Sequence, residues 1–136
     1  MIVDTSALIA ILTGEEGAGR LLDALETEPA LLPAPARVEF LRVAGGARLQ
    51  LGEIAGDLLA EWETGGLTTI PFDAGHARIA AQANARYGTG MGQGGLLNLL
   101  DLMVYAVAKE RGEPLLCTGK DFAATDLELH VASRPY

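Results

Sequence analysis

The sequence carries more acids than bases, and four of the acids stand where they could act on a substrate. Asp4 closes the apolar start Met1-Ile2-Val3, Glu39 lies between Val38 and Phe40, Asp101 interrupts the apolar stretch from Leu99 to Ala108, and Asp121 follows Leu115-Leu116-Cys117 after a short turn. Three or four carboxylates crowded together repel one another and take up protons unless a cation balances them. Oxygen ligands without histidine or cysteine suit Mg²⁺ or Mn²⁺. Such a site orients a water, favours its ionisation and offsets charge on a phosphodiester as it is displaced. That chemistry cuts nucleic acid and needs no covalent nucleophile.

The elements that must position these acids can be read from the pattern of apolar residues. Residues 1 to 4 read as a short buried strand, and Thr5-Ser6 opens a helix to about Leu12. Asp4 therefore sits where a strand gives way to a helix, the edge of a parallel sheet at which ligands bind. Capping that helix is the simpler role for it. An acidic helix from Glu15 to Thr27 precedes a second strand at Leu31-Leu32, and Pro33 and Pro35 place the next helix start near Ala36. Glu39 falls close to the first turn of that helix, where the dipole alone favours an acid.

Glu53 to Glu63 carries Ile54, Leu58, Leu59 and Trp62 at helical spacing, an apolar stripe expected in the core. Leu67 to Phe72 reads as a strand and Asp73 as the cap of an alanine-rich helix to Tyr87, with His76, Asn84 and Arg86 exposed. The glycine-rich run from Gly88 to Gly95 is the most mobile segment expected. Its formal G-x-G-x-x-G match follows a helix rather than a strand, so it is not a dinucleotide loop.

The helix from Asn98 to Arg111-Gly112 is apolar on nearly every face, which leaves Asp101 no solvent side. Isolating such a charge costs several kcal/mol unless something pairs with it. A capping box, in which Asn98 caps the helix and Asp101 reaches back to the free amides, is the alternative. Pro114 to Cys117 gives another strand, and Asp121 lies in a Gly-containing turn of a kind that often carries aspartate. Leu127 to Ala132 reads as a last short strand, with Ser133 to Tyr136 as a tail. Strands alternate with helices throughout, which indicates a central parallel sheet with helices on both faces.

Composition bounds the remaining possibilities. A chain of 136 residues is expected to be one domain with a proper core. No apolar run approaches the ~20 residues needed to cross a bilayer, and the start has no basic segment or cleavage site, so a cytoplasmic protein is expected. One cysteine, Cys117, cannot form an internal disulfide, and His76 and His130 do not make a zinc cluster. A net charge of −8 argues against a nucleic-acid partner at face value. The objection weakens if several acids hold a cation, because a polyanion then senses the local field; Arg37, Arg42, Arg48, Arg78 and Arg86 could line a groove.

Four segments together carry a resemblance. Met-Ile-Val-Asp-Thr-Ser-Ala-Leu at residues 1 to 8, the Glu39 helix, Leu-Asn-Leu-Leu-Asp-Leu-Met-Val-Tyr-Ala-Val-Ala at 97 to 108, and Leu-Leu-Cys-Thr-Gly-Lys-Asp-Phe-Ala-Ala-Thr-Asp at 115 to 126 resemble, in order, the PIN-domain ribonucleases, nearest to VapC toxins. The resemblance implies a three-layer α/β/α sandwich whose mainly parallel sheet has four to five strands, spanning residues 1 to 136. It implies that Asp4, Glu39, Asp101 and Asp121 are catalytic acids holding Mg²⁺ or Mn²⁺, with Ser6 and Thr118 as nearby polar residues and Asp126 as a further supporting acid. It implies an endoribonuclease that cuts structured RNA, either tRNA or rRNA, dimerises, and is inhibited by a VapB-like antitoxin. The segment Asn98-Leu99-Leu100-Asp101 departs from the Asn-Phe-Gly-Asp usual in these toxins, and the run before it is richer in glycine.

Two other classes compete. A phosphatase of the haloacid dehalogenase type would need a second aspartate two residues after Asp4, where Ser6 stands. A catalytically inactive binding or dimerisation module of the same fold would keep the acids as helix caps.

Overall fold

Ile2-Val3 is a pair of β-branched residues with no solvent exposure, and it forms the strand around which the sheet is ordered. The computed structural model describes residues 1–134. Strand β1 (Ile2–Val3) is followed by helices α1 (Thr5–Thr13) and α2 (Ala18–Thr27), strand β2 (Leu31–Pro33), helices α3 (Ala34–Gly45) and α4 (Gly52–Thr64), strand β3 (Thr68–Ile70), helices α5 (Ala74–Tyr87) and α6 (Leu99–Arg111), and strand β4 (Leu115–Leu116). The strands pair in the order β3-β2-β1-β4, all parallel, with Ile2 beside both Leu31 and Leu115. This is the α/β architecture expected, at the lower of the two strand numbers.

Because every strand runs the same way, the residues that follow β1, β2, β3 and β4 emerge at one edge of the sheet. The chain leaves β1 toward β2 on one side, while β4 is added on the other. That reversal opens a crevice at the carboxyl end of β1, where open α/β sheets bind ligands. Asp4 is the residue at that position.

The helix boundaries follow from their capping residues. Gly14 and Gly112 end α1 and α6 in the left-handed conformation, at φ of 66° and 63°. Helix α3 starts earlier than expected, at Ala34 rather than near Ala36, because Pro35 is accommodated in a first turn that needs no amide from it. Asp73 caps α5 as expected, but His76 is buried rather than exposed. Its Nδ1 accepts the Asp73 backbone N–H at 3.0 Å, which completes a capping box and draws the ring inward against Phe72. Leu127 to Ala132 does not form a strand. It makes only isolated contacts of strand type, Leu115 with Leu129, while Thr118 pairs with Arg134. The expected tail from Ser133 to Tyr136 lies partly outside the described residues.

The core joins the two ends of the chain. Ile2, Val3, Leu8, Leu32, Phe40, Val104, Leu115, Leu116 and Phe122 are all buried, and the Phe40 and Trp62 rings meet at 6.0 Å between centroids. In α6 five consecutive residues, Val104 to Ala108, are buried, so this helix is held on several faces as its composition suggests. Among the described residues no helix is long and apolar enough to cross a membrane.

Candidate active site

Asp4 is buried with a relative exposure of 4%, so its environment is set by a few neighbours. Its backbone N–H donates to the Leu116 carbonyl at 3.0 Å, continuing the β1 to β4 pairing. One carboxylate oxygen accepts the Ser6 amide N–H at 3.0 Å and the Ser6 hydroxyl. The cap role and the crevice position thus coincide. Ser6 Oγ in turn accepts the Thr118 amide N–H at 3.0 Å, and Thr118 Oγ1 donates to the Ser6 carbonyl at 3.4 Å. Ser6 and Thr118 therefore join the start of α1 to the turn after β4, the turn that carries Asp121.

Thr5 performs the equivalent task toward α3. Its hydroxyl donates to the Ala36 carbonyl at 3.2 Å in a buried contact, which sets the first turns of the Glu39 helix against the end of β1. Sequence reasoning assigned Thr5 no place beyond opening a helix, although a polar residue between Asp4 and Ser6 at a sheet edge was the signal available.

Asp101 is half-buried in the first turn of α6 and makes the reciprocal capping box that was the alternative expectation for it. Asn98 Oδ1 accepts the Asp101 amide N–H at 2.9 Å, and Asp101 Oδ2 accepts the Asn98 amide N–H at 3.0 Å. The capping role does not remove it from the other acids. Burial, together with the charges of Asp4, Asp121 and Glu39, raises its carboxyl to about 7, against the downward pull of the Asn98 N–H. Burial likewise pushes Asp4 up to about 6, with Glu39 adding to it and Ser6 opposing it. Four acids drawn from positions 4, 39, 101 and 121 sense one another across the crevice.

Cys117 lies fully buried beside them. Its thiol is pushed up to about 12 by burial and then by Asp4, Asp121 and Asp101. It is an inert filler that reports the same negative field.

Asp126 is placed differently. Its carboxylate accepts from Tyr105 Oη at 2.7 Å and from Lys109 Nζ at 2.7 Å, and Lys109 followed by Tyr105 holds it below the usual carboxylate range. Tyr105 and Lys109 stand one and two turns along α6 from Asp101, so Asp126 fastens the loop after Asp121 to the flank of that helix. Of the five arginines expected to line a groove, Arg37 pairs with Glu63 at 3.0 Å, and Arg48 lies beyond the end of α3.

The donor set is oxygen only, and burial together with neighbouring acids raises Asp4 and Asp101 above the ordinary carboxylate range, both of which fit a hard divalent cation. Among the described residues, no three His, Cys, Asp or Glu side chains converge as closely as the ligands of one ion. The Asp101 carboxylate is turned back to the Asn98 amide.

A family model described as the PIN domain matches residues 1–128. The chain belongs to the PIN-domain family. Within it the relatives are VapC proteins: the chain is 43% identical over 129 residues to ribonuclease VapC42 of Mycobacterium tuberculosis, covering 93% of this chain and 96% of that one. It is 38% identical over 128 residues to ribonuclease VapC of Mycolicibacterium smegmatis, covering 93% and 97%. The PIN fold is matched by the crystal structure of Mycobacterium tuberculosis VapC20, a sarcin-ricin loop cleaving toxin, with a TM-score of 0.74 at 17% identity over 98% of each chain. VapBC2 from Rickettsia felis, bound to a DNA fragment from its promoter, matches with a TM-score of 0.69 at 14% identity, covering 95% of this chain and 96% of that one.

Proposed function

We propose that this PIN-domain protein is an endoribonuclease toxin that hydrolyses phosphodiester bonds of structured RNA, either tRNA or rRNA, in the cytoplasm, through a Mg²⁺- or Mn²⁺-dependent acidic site. The observation that supports the reading is the position of Asp4, buried at the carboxyl end of β1 and fixed by Ser6, with Asp101 half-buried at the start of α6 and within its field. A buried carboxylate at a sheet crevice with further acids in its field has a use for a cation there. The names of relatives at 43% and 38% identity support ribonuclease chemistry.

Asp4, Glu39, Asp101 and Asp121 are the residues that would hold the metal. When bound, the ion supplies charge for the phosphodiester oxygens and lowers the pKa of a water. The chain's own part is positional. Ser6 fixes the Asp4 carboxylate and ties it to Thr118, at the start of the turn that carries Asp121. Asn98 holds the Asp101 carboxylate at the helix start. Burial of Asp4 strengthens any charge interaction it makes by lowering the local dielectric.

A VapB-like antitoxin is proposed as the partner that silences the protein, by analogy with toxin–antitoxin complexes of the same fold from Klebsiella pneumoniae and Rickettsia felis. The protein is proposed to act as a homodimer. Incubating it with total cellular RNA and Mg²⁺, with and without chelator, and mapping new ends tests the activity. Discrete new ends that vanish with chelator are expected. Intact RNA in both arms, with an unchanged melting temperature on adding Mg²⁺ or Mn²⁺, would assign the chain to the inactive binding or dimerisation module instead.

A further inference from the structure

An acidic chain that cuts RNA has to bring a polyanion up to a cluster of carboxylates. With a net charge of −8, attraction must come from a local feature. Helices α5 and α6 border a cavity of about 330 Å³ lined among others by Gln82, Arg86, Tyr87, Tyr105, Lys109 and Asp126. Lys109 is occupied by Asp126 at 2.7 Å. Arg86 is exposed and, among the described residues, makes no ion pair. Its guanidinium lies over the Tyr87 ring, 5.0 Å from the centroid, a stacked contact that leaves its N–H donors without a carboxylate partner.

The chain then leaves Tyr87 through the glycine arch and returns at Leu97, whose N–H donates to the Tyr87 carbonyl at 3.0 Å. The last turn of α5 therefore lies against the start of α6, within one residue of Asn98. The Tyr87 and Tyr105 rings meet at 5.5 Å, and Tyr105 is one turn along α6 from Asp101. Arg86 thus stands near the start of α6, the end that carries Asp101.

The arch has donors of its own. Gly90, Gly92 and Gly94 have φ of 76°, 76° and 75°, while Met91 and Gln93 between them do not have positive φ. Alternation of this kind turns successive backbone N–H groups toward one side, the arrangement that makes anion-binding concavities. Among the described residues, the N–H groups of residues 90 to 96 find no acceptor within the protein. No side chain from Thr89 to Leu96 is charged, so nothing there repels a phosphate.

We propose that Arg86 and the amides of the arch form a docking track for the phosphodiesters of an RNA strand, flanking the bond that the acids cut. This rests on the ribonuclease reading of the acidic site. Arg86 provides the charge, the arch provides backbone donors that read no base, and the track leads along the strand into the crevice between Asp4 and Asp101.

The test measures binding of a mixed-sequence single-stranded RNA across a salt series, in an Asp101→Asn background that prevents cleavage. Arg86→Glu is expected to weaken binding by about tenfold at low salt and to reduce the slope of log K against log salt by about 0.7, the loss of one phosphate contact. Arg48→Glu, the same charge change on an exposed residue beyond α3, should do neither. Gln93→Pro, which deletes one arch N–H, should weaken binding where Gln93→Ala does not. Equal weakening by Arg86→Glu and Arg48→Glu, or an unchanged salt slope in Arg86→Glu, overturns the track. Gln93→Pro binding like Gln93→Ala removes the arch from it. Failure of the Asp101→Asn parent to hold RNA at any salt overturns the ribonuclease reading itself, and the track with it.

Discussion

The Ser6 hydroxyl donates to the Asp4 carboxylate while accepting the Thr118 amide N–H at 3.0 Å. One oxygen thus binds a residue at the end of β1 to the turn that carries Asp121, across more than a hundred positions of sequence. Replacing it disturbs the acid and the turn together. Ser6→Ala is expected to leave the Thr118 N–H without a partner at a cost of about 1–3 kcal/mol. It should also raise the Asp4 carboxyl further above 6, because the bond that opposed burial is lost. Denaturant unfolding reads the first effect and the pH profile of RNA cleavage the second. A variant as stable as the parent, with an unmoved profile, would show the hydroxyl to be incidental.

Asp101→Asn is expected to abolish cleavage while leaving the metal-free protein as stable as the parent or more so. The amide keeps an oxygen that can accept the Asn98 N–H, and it removes a charge that Asp4, Asp121 and Glu39 disfavour. Thermal melting without divalent ions and RNA cleavage with them are the two measurements. Cleavage at the parental rate would remove Asp101 from the mechanism.

Stability should depend on pH with a sign set by these same acids. Asp4 and Asp101 have folded values raised from 3.8 to about 6 and about 7, so between those limits the folded state holds more protons than the unfolded one. Their contribution to stability is complete below 3.8 and is lost as pH rises through 6 and 7. The metal-free protein should therefore melt at a lower temperature at pH 8 than at pH 5, other groups being equal. Replacing either acid by asparagine should flatten that dependence, and an equally steep curve in both variants would contradict it.

Mg²⁺ or Mn²⁺ should act in the opposite sense, binding the deprotonated acids and raising the melting temperature most above pH 7. A free concentration a hundred times the dissociation constant stabilises by about 2.7 kcal/mol. Asp4→Asn should lose most of that shift. A shift retained in full by Asp4→Asn would place the cation elsewhere.

Gly95 gives a prediction about the arch. A Cβ there would overlap the Tyr87 backbone carbonyl, the group that receives the Leu97 N–H. Gly95→Ala is expected to destabilise by a few kcal/mol or to displace the arch, whereas Gly56→Ala in α4, which has open space around it, should not destabilise. Comparable melting temperatures for the two would show the arch to be loosely seated.

Most of the element order was legible in the sequence because apolar runs, prolines and capping residues punctuate it locally. Asp4 and Asp101 could be singled out for the same reason, each being an acid where its own element leaves little room for one. What local pattern could not supply is where a side chain finds its partner. His76 looks exposed by position and is drawn in by the Asp73 amide, while Asp126 looks like one more acid after β4 and is taken by Tyr105 and Lys109. Leu127 to Ala132 has the composition of a strand, yet it has only Leu115 to pair with and breaks into isolated bridges. The link through Ser6 joins two segments whose separate patterns contain no trace of each other.

The reciprocal bonds between Asn98 and Asp101 occupy, at the start of α6, an acid that the proposed metal site would also use. Asn98 is exposed, so water can replace the carboxylate at its amide. Drawing Asp101 toward a bound ion would then leave no buried donor unpaired at the mouth of α6.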